Sequence, residues 1–91
     1  MGRRILARNF RTAFGEIDIV VLDGETIEFV EVRSRTSGGL VSPLESVDAA
    51  KQRRLTLTAE AFLQRRGLAD RPVRFTLASV VGERIDLIPF G

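Results

Sequence analysis

A chain of 91 residues makes one domain, near the size at which a single hydrophobic core becomes marginal. It contains no cysteine, which excludes a disulfide framework and a thiolate metal site, and charges interrupt every apolar run before it is long enough to span a membrane. The net charge is only +2, and the sequence pI near 10.4 reflects the absence of any His, Cys or Tyr rather than a strongly basic surface. The start, Met1 to Arg8, has no apolar segment of the signal-peptide kind, so a cytoplasmic protein is expected.

In chain order, Ile5 to Phe10 reads as a short strand. Gly15 introduces Glu16 to Leu22, a run rich in β-branched residues and typical of strands. Asp23-Gly24 is a two-residue hairpin signal, and Thr26 to Arg33 is the returning strand. Thr36-Ser-Gly-Gly39 breaks the pattern as a loop. Ser42-Pro43-Leu44-Glu45 has the form of a capping box with proline at the first helical position. A helix therefore starts between Ser42 and Asp48 and ends at Gly67, with Val47, Leu55, Ala59, Phe62 and Leu63 on its apolar stripe. Val73 to Val81 and Ile85 to Phe90 are two more strands, the last at a sheet edge because Pro89 cannot donate to a ladder. The order is β-β-β-α-β-β, and the strands on either side of the helix should be parallel.

The charges are unevenly placed. Residues 1–14 hold Arg3, Arg4, Arg8 and Arg11 without an acid; residues 15–31 hold Glu16, Asp18, Asp23, Glu25, Glu28 and Glu31 without a base. Basic residues return at Arg33, Arg35, Lys51, Arg53, Arg54, Arg65 and Arg66. An acidic block between basic ones builds a cation site inside a phosphate-attracting rim; ordinary mixing of surface charge is the alternative on composition alone.

Within the acidic block, Asp18 and Glu31 stand out. With Asp23-Gly24 as a two-residue loop the two are diagonal neighbours; with a four-residue loop they face each other directly, and both registers put them on one face. Two close carboxylates suit Mg2+, or Mn2+, with water and phosphate completing the coordination and the carbonyl of Val32 as a further ligand. Two solvated acids on an exposed strand would give the same spacing.

The runs Arg4-Ile-Leu-Ala-Arg-Asn-Phe-Arg11, Phe14-Gly-Glu-Ile-Asp-Ile19 and Phe29-Val-Glu-Val-Arg33 resemble the bacterial YraN-like family, as do Ser42-Pro-Leu-Glu-Ser-Val-Asp48 and Lys51-Gln-Arg-Arg-Leu55. That family is placed in the PD-(D/E)XK nuclease superfamily and is similar to Holliday junction resolvases. The resemblance implies an α/β, restriction-endonuclease-like fold: a mixed five-stranded sheet in the order 1-2-3-4-5 with one long helix crossover. It also implies that an N-terminal helix usual in the family precedes Arg3 and is missing here. The superfamily's metal-binding aspartate falls on Asp18 and the acid of its (D/E)XK element on Glu31. The lysine of that element falls on Arg33, a departure. Arginine stays charged, so Arg33 cannot be a general base, although it can stabilise charge on phosphate.

Glu16 belongs to the same motif and reads either as an outer ligand or as a solvated residue. Arg35, Lys51, Gln52 and Arg54 are expected to contact nucleic acid, with Lys51 and Gln52 beside the helix's buried stripe. The expected function is metal-dependent cleavage of structured, branched DNA; the alternative is a non-catalytic nucleic-acid or protein interaction module that keeps the fold. Because both faces of the central strands are apolar and one long helix covers only one of them, a homodimer or another partner is expected over the second face.

Overall fold

The computed structural model describes residues 2–35 and 47–91. Its elements are β1 (Arg3–Thr12), β2 (Gly15–Asp23), β3 (Thr26–Arg35), α1 (Ala49–Arg66), β4 (Val73–Val81) and β5 (Arg84–Phe90). The strands form one five-stranded sheet in the order β1-β2-β3-β4-β5. Pairing is antiparallel except between β3 and β4, which flank the helix in sequence and run parallel. Pro89 lies in β5 on the sheet edge, where its missing donor costs no ladder bond. The loop Thr36–Gly39 and the Ser42–Glu45 box lie outside the described residues.

The β2–β3 hairpin closes one residue later than Asp23-Gly24 implies. Asp23 pairs with Thr26, leaving Gly24-Glu25 as the two-residue loop. Gly24 takes φ +64° at the first loop position, a conformation that costs glycine nothing.

Helix α1 begins at Asp48, whose carboxylate accepts a hydrogen bond from the Lys51 N–H at 2.8 Å. It ends at Gly67 in a left-handed turn, with the Gly67 N–H on the Gln64 carbonyl and the Leu68 N–H on the Leu63 carbonyl. This pair of bonds is a Schellman motif, and Leu68 supplies its apolar contact by packing on the core. Arg65 and Arg66 complement the helix dipole at this end and stack over Phe10 and Phe62.

The core lies between α1 and one face of the sheet. Ile17, Val20, Ile27, Phe29 and Leu77 from the strands meet Val47, Leu55, Ala59, Phe62 and Leu63 from the helix segment. Phe62 is its centre, edge-on to Phe10 at 5.2 Å and to Phe29 at 6.0 Å. The opposite face holds a thin second cluster, Val21, Val30 and Ala78 with Ile19 against it. Among the described residues no helix lies over that face, and Ile85 and Leu87, opposite Val80 and Ala78, remain 63% and 53% exposed.

At the hairpin end of the sheet, buried Glu28 ties four strands together. It accepts hydrogen bonds from Thr76 (2.6 Å) and Arg74 (3.4 Å) and lies 3.9 Å from Arg3, while Arg74 also reaches Asp23 at 2.9 Å. Burial pushes the Glu28 carboxyl up, but the hydrogen bonds from Thr76 and Arg74 and the charges of Arg74 and Arg3 outweigh it, leaving it below its ordinary value. The Arg74 hydrogen bond likewise holds Asp23 down against a smaller contribution from burial.

Candidate active site

At the other end of the β2–β3 pair the register stops at Ile19 opposite Val30. Beyond it, the Val32 N–H donates to a carboxylate oxygen of Asp18 at 2.8 Å instead of to a strand carbonyl. The N–H and C=O of one strand residue point to the same neighbouring strand. By the same rule the Val32 carbonyl faces this gap beside Asp18.

Alternation along β3 puts Glu31 on the helix side with Ile27 and Phe29. Its side chain is only 8% exposed, and one oxygen, Oε2, is held by Lys51 Nζ at 2.7 Å and Arg33 Nη2 at 3.1 Å. Lys51 reaches it from the first turn of α1, which the Asp48 cap fixes in place. Among the described residues the buried Arg33 Nε has no hydrogen-bond partner. Glu31, Arg33 and Lys51 thus form one cluster, and Lys51 is the only lysine in the chain.

Asp18 does not join that cluster by an ion pair among the described residues. It lines a groove of about 290 Å³ with Arg8, Asn9, Ile19 and Val32, the last being the residue that alternates away from Glu31. The hairpin argument that places both acids on one face does not carry through to Asp18, because the in–out alternation of β2 breaks there. Ile17 and Val20 both point into the helix-side core, although their spacing demands opposite faces in a regular strand. The two carboxylates instead flank Val32, one bonded to its N–H and the other on the preceding residue.

The remaining candidates separate. Glu16 pairs with Arg11 at 2.6 Å and shares a small hollow on the helix side with Gly15, Lys51, Arg54 and Leu55, so Arg54 does lie beside Lys51. Gln52 does not: its amide donates to the Val47 carbonyl at 3.1 Å, and it lines a different groove with Phe75 and Phe90. Arg35 is the last residue of β3. Arg8 and Asn9, which flank Asp18 on the neighbouring strand, are site residues that the sequence reading passes over.

No group of three or more His, Asp or Glu among the described residues forms a ready metal cluster. The donors present are the carboxylates of Asp18 and Glu31 and the Val32 carbonyl. They are all hard oxygens, with Glu31 Oε1 and the second Asp18 oxygen not engaged in bonds among the described residues. Hard oxygen donors of this kind are the type that magnesium takes.

The model of the Uncharacterised protein family UPF0102 matches residues 1–89. Among curated proteins, the chain is 48% identical over 83 residues to a UPF0102 protein of Pseudomonas entomophila, covering 90% of this chain and 68% of that one. It is 48% identical over 84 residues to one from Persephonella marina, covering 92% and 72%. With one from Moorella thermoacetica the identity is 51% over 79 residues, covering 87% and 66%. The chain belongs to the UPF0102 family.

Proposed function

Taking membership of UPF0102 as the premise, we propose that this domain is a metal-dependent nuclease, or a nuclease-like protein, acting on structured DNA by phosphodiester hydrolysis. The observation that carries the reading is the docking of the chain's only lysine on Glu31, one residue from the Val32 N–H that holds Asp18. Arg33 stays charged and cannot act as a base, and Lys51 brings a second cation to Glu31 from the helix. Both supply positive charge for a phosphate beside Asp18.

Asp18, Glu31 and the Val32 carbonyl would hold Mg2+ or Mn2+, which supplies a Lewis acid and an activated water when bound. Glu31 is the residue that must share itself between that ion and its two cations. The same sharing favours the second reading: a carboxylate already neutralised by Lys51 and Arg33 suits a module that binds nucleic acid without cutting it.

Calorimetric titration with magnesium and manganese, followed by incubation with branched and linear duplex DNA, tests both. Saturable binding that Asp18→Asn abolishes, with cleavage that Lys51→Ala abolishes, establishes the nuclease. DNA binding without cleavage or metal uptake establishes the module, and neither binding nor cleavage overturns both readings.

A further inference from the structure

Asn9 is the one residue other than glycine with a positive φ, +51°, among the described residues, and it sits in the middle of a strand. Its neighbours Arg8 and Phe10 pair with Ile19 and Ile17, so Asn9 stands opposite Asp18. The register is the same on both sides of this pair; no residue is inserted. What changes is the side to which the strands point. Ala7 and Phe10 both face the helix-side core, as do Ile17 and Val20, so both strands reverse their alternation at the Asn9–Asp18 pair. This matched kink is where Asp18 leaves the ladder to take the Val32 N–H. Asparagine tolerates the left-handed region, but glycine would adopt it more easily. The backbone therefore does not explain the carboxamide.

Arg8 and Asn9 line the groove beside Asp18, and neither side chain makes a hydrogen bond or ion pair among the described residues. We propose that Arg8 and Asn9 form the phosphate-binding wall of this groove, holding a phosphodiester of a nucleic-acid strand beside Asp18. The proposal rests on the nuclease reading and adds a substrate subsite to it. The guanidinium supplies the charge that an anion needs next to a carboxylate, in a planar fork matched to phosphate oxygens. The Asn9 amide supplies a second, neutral donor on a short side chain. The groove's other lining, Ile19 and Val32, is apolar and offers nothing that competes for the phosphate.

The test separates side chain from backbone. Asn9→Gly keeps the left-handed turn and removes the amide; Asn9→Ala removes both; Arg8→Gln removes the charge. Branched-DNA binding is measured across a salt series, with thermal melting and magnesium titration on every variant. Asn9→Gly should melt and bind magnesium as the wild type does, yet bind DNA about tenfold more weakly, the effect of one lost hydrogen bond to a charged group. Arg8→Gln should weaken binding and reduce the salt slope by about one. Magnesium binding lost in Asn9→Ala but kept in Asn9→Gly would support the kink as the element that positions Asp18. Asn9→Gly and Arg8→Gln that bind DNA as tightly as a binding wild type would overturn the subsite and leave the nuclease reading standing. A wild type that binds neither DNA nor a divalent ion overturns the reading, and the subsite with it.

Discussion

The two carboxylates assigned to one metal should respond to different extents when neutralised without metal. Glu31→Gln removes the one negative charge that Lys51 and Arg33 share among the described residues, at a position whose side chain is 8% exposed. Breaking a buried ion pair costs about 3–5 kcal/mol because the surviving charge is stranded. Here the survivors keep some water, with Lys51 at 24% and Arg33 at 37% exposure, which places the cost nearer 2–3 kcal/mol by the screening of part-exposed pairs. For a domain of this size that lowers the melting temperature by roughly 10–20 °C. Asp18→Asn keeps an oxygen for the Val32 N–H and breaks no ion pair among the described residues. The loss of a charge-assisted bond in favour of a neutral one costs about 1 kcal/mol. Thermal melting by circular dichroism in chelator, at low and moderate salt, measures both. Equal melting of the two variants would refute the reasoning. So would a Glu31→Gln protein more stable than the wild type, since that would mean the carboxylate is strained in its cluster rather than held by it.

The Glu28 network predicts acid sensitivity. Glu28 and Asp23 are held below their ordinary values in the folded protein, so their contribution is complete above about pH 5 and is lost as the pH falls through about 4 and below. A melting series over that range should be flatter for Glu28→Gln than for the wild type. Phe62→Ala empties the centre of the core and should cost about 3–5 kcal/mol, read from urea midpoints. The open sheet face should drive concentration-dependent self-association, and sedimentation should show Leu87→Lys shifted toward monomer. Arg33→Lys should raise any nuclease activity; an unchanged rate would mean that Lys51 already suffices.

Much of the fold was legible because local and global preferences agree. The β-branched runs became strands, the stripe from Val47 to Leu63 became the buried side of the helix segment, and Gly67 ended the helix through its left-handed turn. Parity orders β3 and most of β2: Val20, Leu22, Ile27 and Phe29 face the helix, while Ile19, Val21 and Val30 face away. Ile17 breaks that parity and lies in the helix-side core. The hairpin moved by one residue because the glycine, not the aspartate, occupies the first loop position. Thr58, fully buried, was hidden among the helix's polar residues because its hydroxyl is satisfied by the Arg54 carbonyl at 2.8 Å, which removes the cost of burying it.

The site was legible in its parts and not in its arrangement, and the reason is the same kink. A strand alternates with a period of two, so apolar residues three apart, such as Ala7 and Phe10 or Ile17 and Val20, cannot share a face unless the backbone turns between them. Both spacings occur in the sequence on strands that pair, and between them stand Asn9, a residue suited to positive φ, and Asp18. Read together, the two odd spacings and the asparagine mark a pair at which the sheet departs from its pleat, beyond the register shift between Ile5 and Ala7. A left-handed residue in mid-strand costs about 1–2 kcal/mol and is kept where the rest of the fold over-determines it. Beside it the β2–β3 register ends at Ile19 and Val30, and the Val32 N–H is taken by Asp18. The strain therefore accompanies an opening in the sheet at Asp18, one residue along β3 from the Glu31 that Lys51 and Arg33 hold. That coincidence makes the Asn9–Asp18 pair the first place to look for what this domain binds.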